Sequence, residues 1–307
     1  MRGEAGRRRL DACRELKSGP PSQAAARRAR TRPQVRLSPS TSKHLTCERV
    51  CPRGNRLAML RKLVRLQIHP WVATATEFLE TLEAILRDRR RPFLLLTLLI
   101  VAALLGWIAY VPIHELLHAF ACLALGGQVE ELQIQTRYGG AILARIFPFV
   151  RAGGDAAGRL ARFDTGGSDL VYFATSFAPY LLTLLGAFPL MRAARRHGSI
   201  ALLGPAAVLA AVPFLSLGGD FYEMGSILVS SVLRLLPTTG GVSPVAIRHD
   251  DLPALLGEMT QRFPEHRPLW GVAVALSTLV GCSLAGGLLA AARRLADRLG
   301  PSGTSRA

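Results

Sequence analysis

PFLLLTLLIVAALLGWIAYVPIHELLHAFACLALGG, Pro92 to Gly127, is the stretch whose reading decides the fold. Between Phe93 and Leu125 its only ionisable side chains besides Tyr110 and Cys122 are His114, Glu115 and His118. The run is long enough for one tilted membrane-crossing helix bent at Pro112, or for a span followed by a second short helix. An ionised group near the bilayer centre costs roughly 2.5 to 3.5 kcal/mol on insertion scales, so such groups persist where they pair, line water or bind something. A metal ion satisfies all three at once. On a helix, residues four apart project from one face, so His114 and His118 present two imidazole nitrogens to one Zn2+. Glu115 then stands beside the ion, free to take a proton from a water whose pKa is lowered toward 7. HELLH in this setting describes a hydrolase.

The rest of the chain supports a membrane setting. Of 307 residues half are hydrophobic, and they cluster into runs too long for soluble cores. The net charge of +17 suggests nucleic acid until it is divided: residues 1–58 carry 15 Lys and Arg against 4 Asp and Glu, so most of the excess lies in that tail. Nucleic acid is therefore not an expected partner. The tail is rich in Arg, Pro, Ser and Ala without a sustained apolar period and reads as disordered. It also lacks the apolar core of a secretory signal. Three readings of it compete: a basic arm, an organelle transit peptide, and translated sequence ahead of a start at Met59. The last is favoured because MLRKLVRLQIHP begins an ordered-looking pattern abruptly. His44, Cys47 and Cys51 in the tail make a weak metal signal, since no second Cys/His pair accompanies them. Cys122 and Cys282 lie in apolar runs and read as packing residues.

Five segments follow: the tail to residue 58, an amphipathic juxtamembrane region at 59–92, a core at 93–236, a polar segment at 237–268, and a last span with a basic end at 269–307. Within the second, Trp71 to Arg90 has apolar and acidic residues at helical spacing. After Gly126 and Gly127, VEELQIQTRYGGAILARIF alternates loosely around Gly139 and Gly140 and predicts a β-hairpin over 128–149. Residues 151–169 read as a loop. Leu170 to Met191 and Ile200 to Leu217 read as spans, Phe221 to Leu236 as a helix short for one. The expected fold is an α-helical polytopic membrane protein with about four to six transmembrane helices and a small β-hairpin after the first catalytic helix.

A catalytic zinc keeps three protein ligands and an open position. HELLH supplies two. Asp220 is the expected third, because it lies at a Gly-Gly break at a span end, where an ionised carboxylate is otherwise costly. The competing reading makes it the N-cap of the following helix. Glu223, one turn on, is the runner-up, or a partner for a nearby Arg. His249, Asp250 and Asp251 form another acidic cluster, which reads more simply as the cap of a surface helix.

YVPIHELLHAFACLALGGQVEELQIQ, together with the later SFAPY and GGDFYEMGS, resembles the site-2 protease family of intramembrane zinc metalloproteases over residues 93–236. The resemblance implies that His114, His118 and Asp220 bind Zn2+, that Glu115 is the general base, and that the span around Pro179 borders the substrate. It also implies a membrane-protein substrate cleaved in or near a transmembrane segment, and a location in a bacterial cytoplasmic membrane. Two departures stand out. The family carries an Asn near its Pro motif, whereas the single Asn here is Asn55, so Ser176 or Tyr180 must take that role or it is absent. The family reads Asp-Gly where Asp220 is followed by Phe221. The competing classes are a membrane hydrolase acting on a lipid or small molecule, and a non-catalytic zinc-binding scaffold. A scaffold has no need of Glu115. The hairpin edge is a plausible platform onto which an unwound substrate adds as a strand.

Overall fold

In a computed structural model that describes residues 52–87, 91–235, 247–249, 251–262 and 267–299, the 92–124 stretch is one continuous helix. The triad expected in the tail, His44, Cys47 and Cys51, lies outside the described residues. Helix α1 (Pro52–Leu86) begins well ahead of Trp71, where the periodic pattern starts in the sequence, and continues through Pro70. It starts inside the segment expected to be disordered to residue 58. Helix α2 (Pro92–Ala124) likewise runs through Pro112. Its buried residues Tyr110, Val111, His114, His118, Ala119 and Cys122 fall on one stripe at helical spacing. Leu98, Ile100, Leu104, Leu105 and Ile108 on its other faces remain exposed.

Helix α4 (Asp169–Phe177), a 3-10 turn at Ala178–Tyr180 and α5 (Leu181–His197) continue one another. Helices α6 (Ile200–Leu215) and α7 (Asp220–Leu233) follow, then α8 (Leu252–Arg262) and α9 (Arg267–Leu299). Among the described residues three helices are long and apolar enough to cross a membrane, Pro92–Ala124, Asp169–His197 and Trp270–Leu299. The pair α6 and α7, bent by 40° at a short break, makes up to four when counted as one span. The expected four to six is thus met only at its lower end. Helix α1 carries too many charges to count, and α7 is too short alone.

Small residues set the helix spacing. A Cβ on Gly225 of α7 would lie 2.1 Å from Ser277 O of α9, and one on Gly281 would lie 2.3 Å from Phe221 O. Helices α7 and α9 therefore touch backbone to backbone, the kind of approach that membrane helices use when no aqueous hydrophobic effect drives them together. That contact holds the start of α7, with Asp220 and Glu223, against a long helix.

The hairpin expectation is corrected. Strand β1 (Gln128–Ile134) forms as expected. The second half of the expected hairpin is a 3-10 turn at Thr136–Tyr138 followed by helix α3 (Gly140–Ile146). Gly139, at φ 83°, caps that turn instead of serving a two-residue hairpin. A Cβ on Gly140 would lie 2.0 Å from Ile134 O, so this glycine is where α3 folds back onto β1. The partners of β1 come from the segment read as a loop: β2 (Val150–Ala152) pairs parallel to it and β3 (Gly158–Asp164) antiparallel. The sheet order is β2-β1-β3, with Leu132 opposite Val150 on one side and Leu160 on the other. Leu132, Ile134 and Val150 pack with Ala119 and Leu116 of α2. The sheet is thereby fastened to the helix turn that carries HELLH.

Candidate metal centre

His114 and His118, four residues apart on α2, meet Asp220 at the first turn of α7. The two histidine Nε2 atoms lie 3.1 Å apart. Asp220 Oδ2 is 3.3 Å from His114 Nε2 and 3.7 Å from His118 Nε2. Three donors at about 2.0–2.1 Å from one zinc in tetrahedral array stand about 3.3 Å from one another. The donor set and its spacing fit the ion that the sequence implies. Among the described residues this is the cluster of His, Cys, Asp or Glu side chains able to hold a metal. Glu223 is not part of it.

The outer nitrogens of both rings are committed elsewhere. His118 Nδ1 donates to Thr175 O of α4 at 2.7 Å, and His114 Nδ1 lies 2.5 Å from Tyr110 Oη one turn earlier on α2. Because a carbonyl only accepts, His118 carries its proton on Nδ1 and leaves the Nε2 lone pair for the centre; His114 does the same when Tyr110 Oη accepts from its Nδ1, an arrangement in which outer partners orient metal-binding imidazoles. Both rings are buried, at 9% and 7% exposure. Tyr180, 0% exposed, donates its hydroxyl to Asp220 Oδ2 at 2.6 Å and packs edge-on against His114. The N-cap position of α7 belongs to Gly219, so the capping reading of Asp220 gives way to one in which its carboxylate faces the histidines.

No family model, curated protein or solved structure matches the chain. The chemistry of the site therefore rests on its own geometry.

A cavity of about 760 Å³ opens beside the three convergent side chains. Glu115, His118, Asp220, Glu223, Tyr172 and Ser176 line one part of it, and Gly158 to Ala161 of β3 another. Gly158 was not singled out in the sequence, yet a Cβ there would lie 2.3 Å from Glu115 Cγ. Glycine at 158 is what leaves room for the Glu115 side chain between α2 and β3. Of the residues expected to border substrate, Ser176 lines the cavity. Pro179 and Tyr180 are buried in the 3-10 turn behind Asp220. Ser176 donates to Glu223 Oε2 at 2.6 Å and Tyr172 donates to Oε1 at 2.5 Å, so among the described residues its partners are hydroxyls and not an Arg.

Arg248, His249, Asp251, Pro253 and Ala254 also line the cavity. Leu252 N donates to Gly218 O at 2.9 Å, beside the Asp220 turn. Arg248 donates to Asp169 Oδ1 at 2.8 Å and Ser230 Oγ at 2.7 Å, and Arg234 also reaches Asp169. Asp251 Oδ1 accepts from Ala254 N at 3.2 Å, the cap expected for α8, and His249 Nδ1 accepts from Asp251 N at 2.9 Å. Asp250 lies outside the described residues. On the far face of the sheet, Gln133 and Arg162 hold the Glu131 carboxyl below its usual range.

Proposed function

We propose that the chain is a multi-pass membrane zinc metalloprotease of the site-2 protease type, hydrolysing peptide bonds in or near transmembrane segments of other membrane proteins. The observation that carries this reading is the convergence of His114, His118 and Asp220 beside a cavity that Glu115, His118 and Asp220 line, with Glu115 and both histidines on a helix apolar enough to cross a membrane. A zinc ion held by those three residues would supply Lewis acidity toward a scissile carbonyl and would lower the pKa of a water toward 7.

The protein's own groups supply the rest. Glu115 accepts a proton from the attacking water as its oxygen joins the carbonyl carbon, then returns a proton to the leaving nitrogen as the C–N bond breaks. Tyr110 and the Thr175 carbonyl fix the two imidazoles, and Tyr180 fixes Asp220. A peptide is favoured over a lipid by the shape of the wall. Strand β3 lines the cavity, and among the described residues no strand pairs with its outer edge. An extended substrate can add there, since a transmembrane helix must unwind before its carbonyls are exposed. In this reading the platform is β3, because β1 is the central strand.

Glu115→Gln tests the reading in the full chain, reconstituted in liposomes with single-span substrates. The expected result is one zinc per chain, unchanged, with cleavage reduced by about 10²-fold or more. Full cleavage by the zinc-loaded variant would overturn the mechanism, and a wild-type chain that binds zinc yet cleaves nothing would favour a scaffold.

A further inference from the structure

Glu223 is a buried carboxyl group without an ion pair. It is 7% exposed, and among the described residues it is met only by the hydroxyls of Tyr172 and Ser176, at 2.5 and 2.6 Å. Among the described residues no Lys, Arg or His forms an ion pair with it. Arg248, on the same cavity wall, pairs with Asp169 through Nη1 and with Ser230 through Nε and not with Glu223, and its Nη2 has no hydrogen-bond partner among the described residues. Two hydroxyls occupy about half of a carboxylate's acceptor capacity, leaving a lone pair on each oxygen. A buried carboxylate in that state is expensive unless an opposite charge comes to it.

A metal ion at the cluster would not provide that charge: a divalent ion on two neutral imidazoles and Asp220 would keep one positive charge, which Glu115 would offset. Glu223 would then still line the cavity without an ion-pair partner among the described residues. The wall therefore keeps an unused carboxylate capacity at Glu223, as a surface built to meet a polar ligand would.

We propose that Glu223, oriented by Tyr172 and Ser176, recognises a cationic N–H group of the substrate, a primary ammonium or a guanidinium, close to the scissile bond. This rests on the reading of the HELLH cavity as a peptide-binding site. It makes Glu223 a specificity residue: the preferred substrate is an apolar segment bearing a basic side chain or a free amino terminus next to the cleaved bond.

The test separates recognition from catalysis by measuring binding to the zinc-loaded Glu115→Gln chain in detergent. The probes are fluorescein-labelled, N-acetylated leucine-rich peptides carrying one Lys at successive positions, the same peptides with norleucine for Lys, and a Lys-free peptide with a free amino terminus. For at least one Lys position, norleucine is expected to weaken binding at least about tenfold. Adding Glu223→Gln should weaken the Lys peptide by the same factor and leave the norleucine peptide unchanged. If instead the free-terminus peptide alone loses affinity in Glu223→Gln, the recognised cation is the terminal ammonium, which also supports the proposal. Equal effects of Glu223→Gln on all the probes, or none, would overturn it. Zinc content of Glu223→Gln and of the charge-keeping Glu223→Asp monitors folding. Cleavage of the same peptides by the wild-type chain is scored separately. Lys dependence without cleavage removes proteolysis and keeps the ammonium site, whereas cleavage without Lys dependence removes only the ammonium site.

Discussion

At the scale of single residues, Gly158 shows how a backbone position governs a side chain it does not bond. An added methyl would sit 2.3 Å from Cγ and 2.7 Å from Cδ of Glu115. The carboxylate must then move, while His114, His118 and Asp220, held from other directions, stay in place. Gly158→Ala is expected to keep one zinc per chain and to lose about 10²-fold in cleavage, the scale of a misplaced general base. Metal analysis beside a cleavage assay checks it, and loss of zinc in step with activity would count against this division of roles. The contrast explains what the sequence discloses of the site. His114, Glu115 and His118 stand out because helical spacing is local and ionisable groups in an apolar run are costly. Tyr110 was open to the same reasoning, one turn before His114 on the same stripe. Gly158, Thr175 and the hydroxyls on Glu223 were not, because their partners lie 43 to 57 residues away along the chain, at contacts fixed only by the fold: the His118 bond to Thr175 spans 57 residues and the Tyr172 bond to Glu223 spans 51.

At the scale of elements, the proposed platform rests on the edge of β3 that no strand among the described residues pairs with. Successive residues of a strand point their N–H groups to opposite edges. Proline at Leu160 or at Ala161 therefore removes an inward N–H in one variant and an outward one in the other. The variant that loses the outward N–H is expected to retain zinc and its melting temperature while cleavage falls about tenfold or more. Normal cleavage by a zinc-retaining variant of each kind would sink the platform role. The long apolar helices were legible because their runs exceed what a soluble core needs, and β1 because VEELQI alternates. The rest of the sheet was not. Strand β2 is three residues long, and β3 interleaves Arg159 and Arg162 with Leu160 and Phe163, so neither shows a clean period. In AILARIF, Leu143 and Phe147 pack on the sheet while Ile142 and Ile146 stay exposed, which is a helix period that the Gly-Gly turn signal overrode.

At the scale of the whole molecule, the question is where the part that builds the site begins. Among the described side chains, those of helix α1 that fasten it to the other helices include Gln67, Trp71, Glu77, Phe78, Leu82 and Ile85. Gln67 Nε2 donates to Ser283 Oγ at 2.5 Å, and Trp71 meets Phe214 edge-on at 6.0 Å. Glu77 pairs with Arg192 at 3.3 Å and Arg293 at 3.1 Å, joining α1 to α5 and α9. Phe78, Leu82 and Ile85 pack into the cluster that includes Phe188, Leu203 and Ala292. None of these touches His114, His118 or Asp220 directly, yet together they clamp the ends of α5, α6 and α9, and α9 in turn holds α7 through Gly281. A chain starting at Met59 keeps every one of them. It is expected to bind one zinc and to melt within about 2 °C of the 307-residue protein, a difference below about 1 kcal/mol at this size. Thermal unfolding with metal analysis of the two purified chains decides it. A shorter chain that loses zinc or melts well below the longer one would show that residues before Met59 take part in the fold, against the reading of that segment as sequence ahead of the working protein.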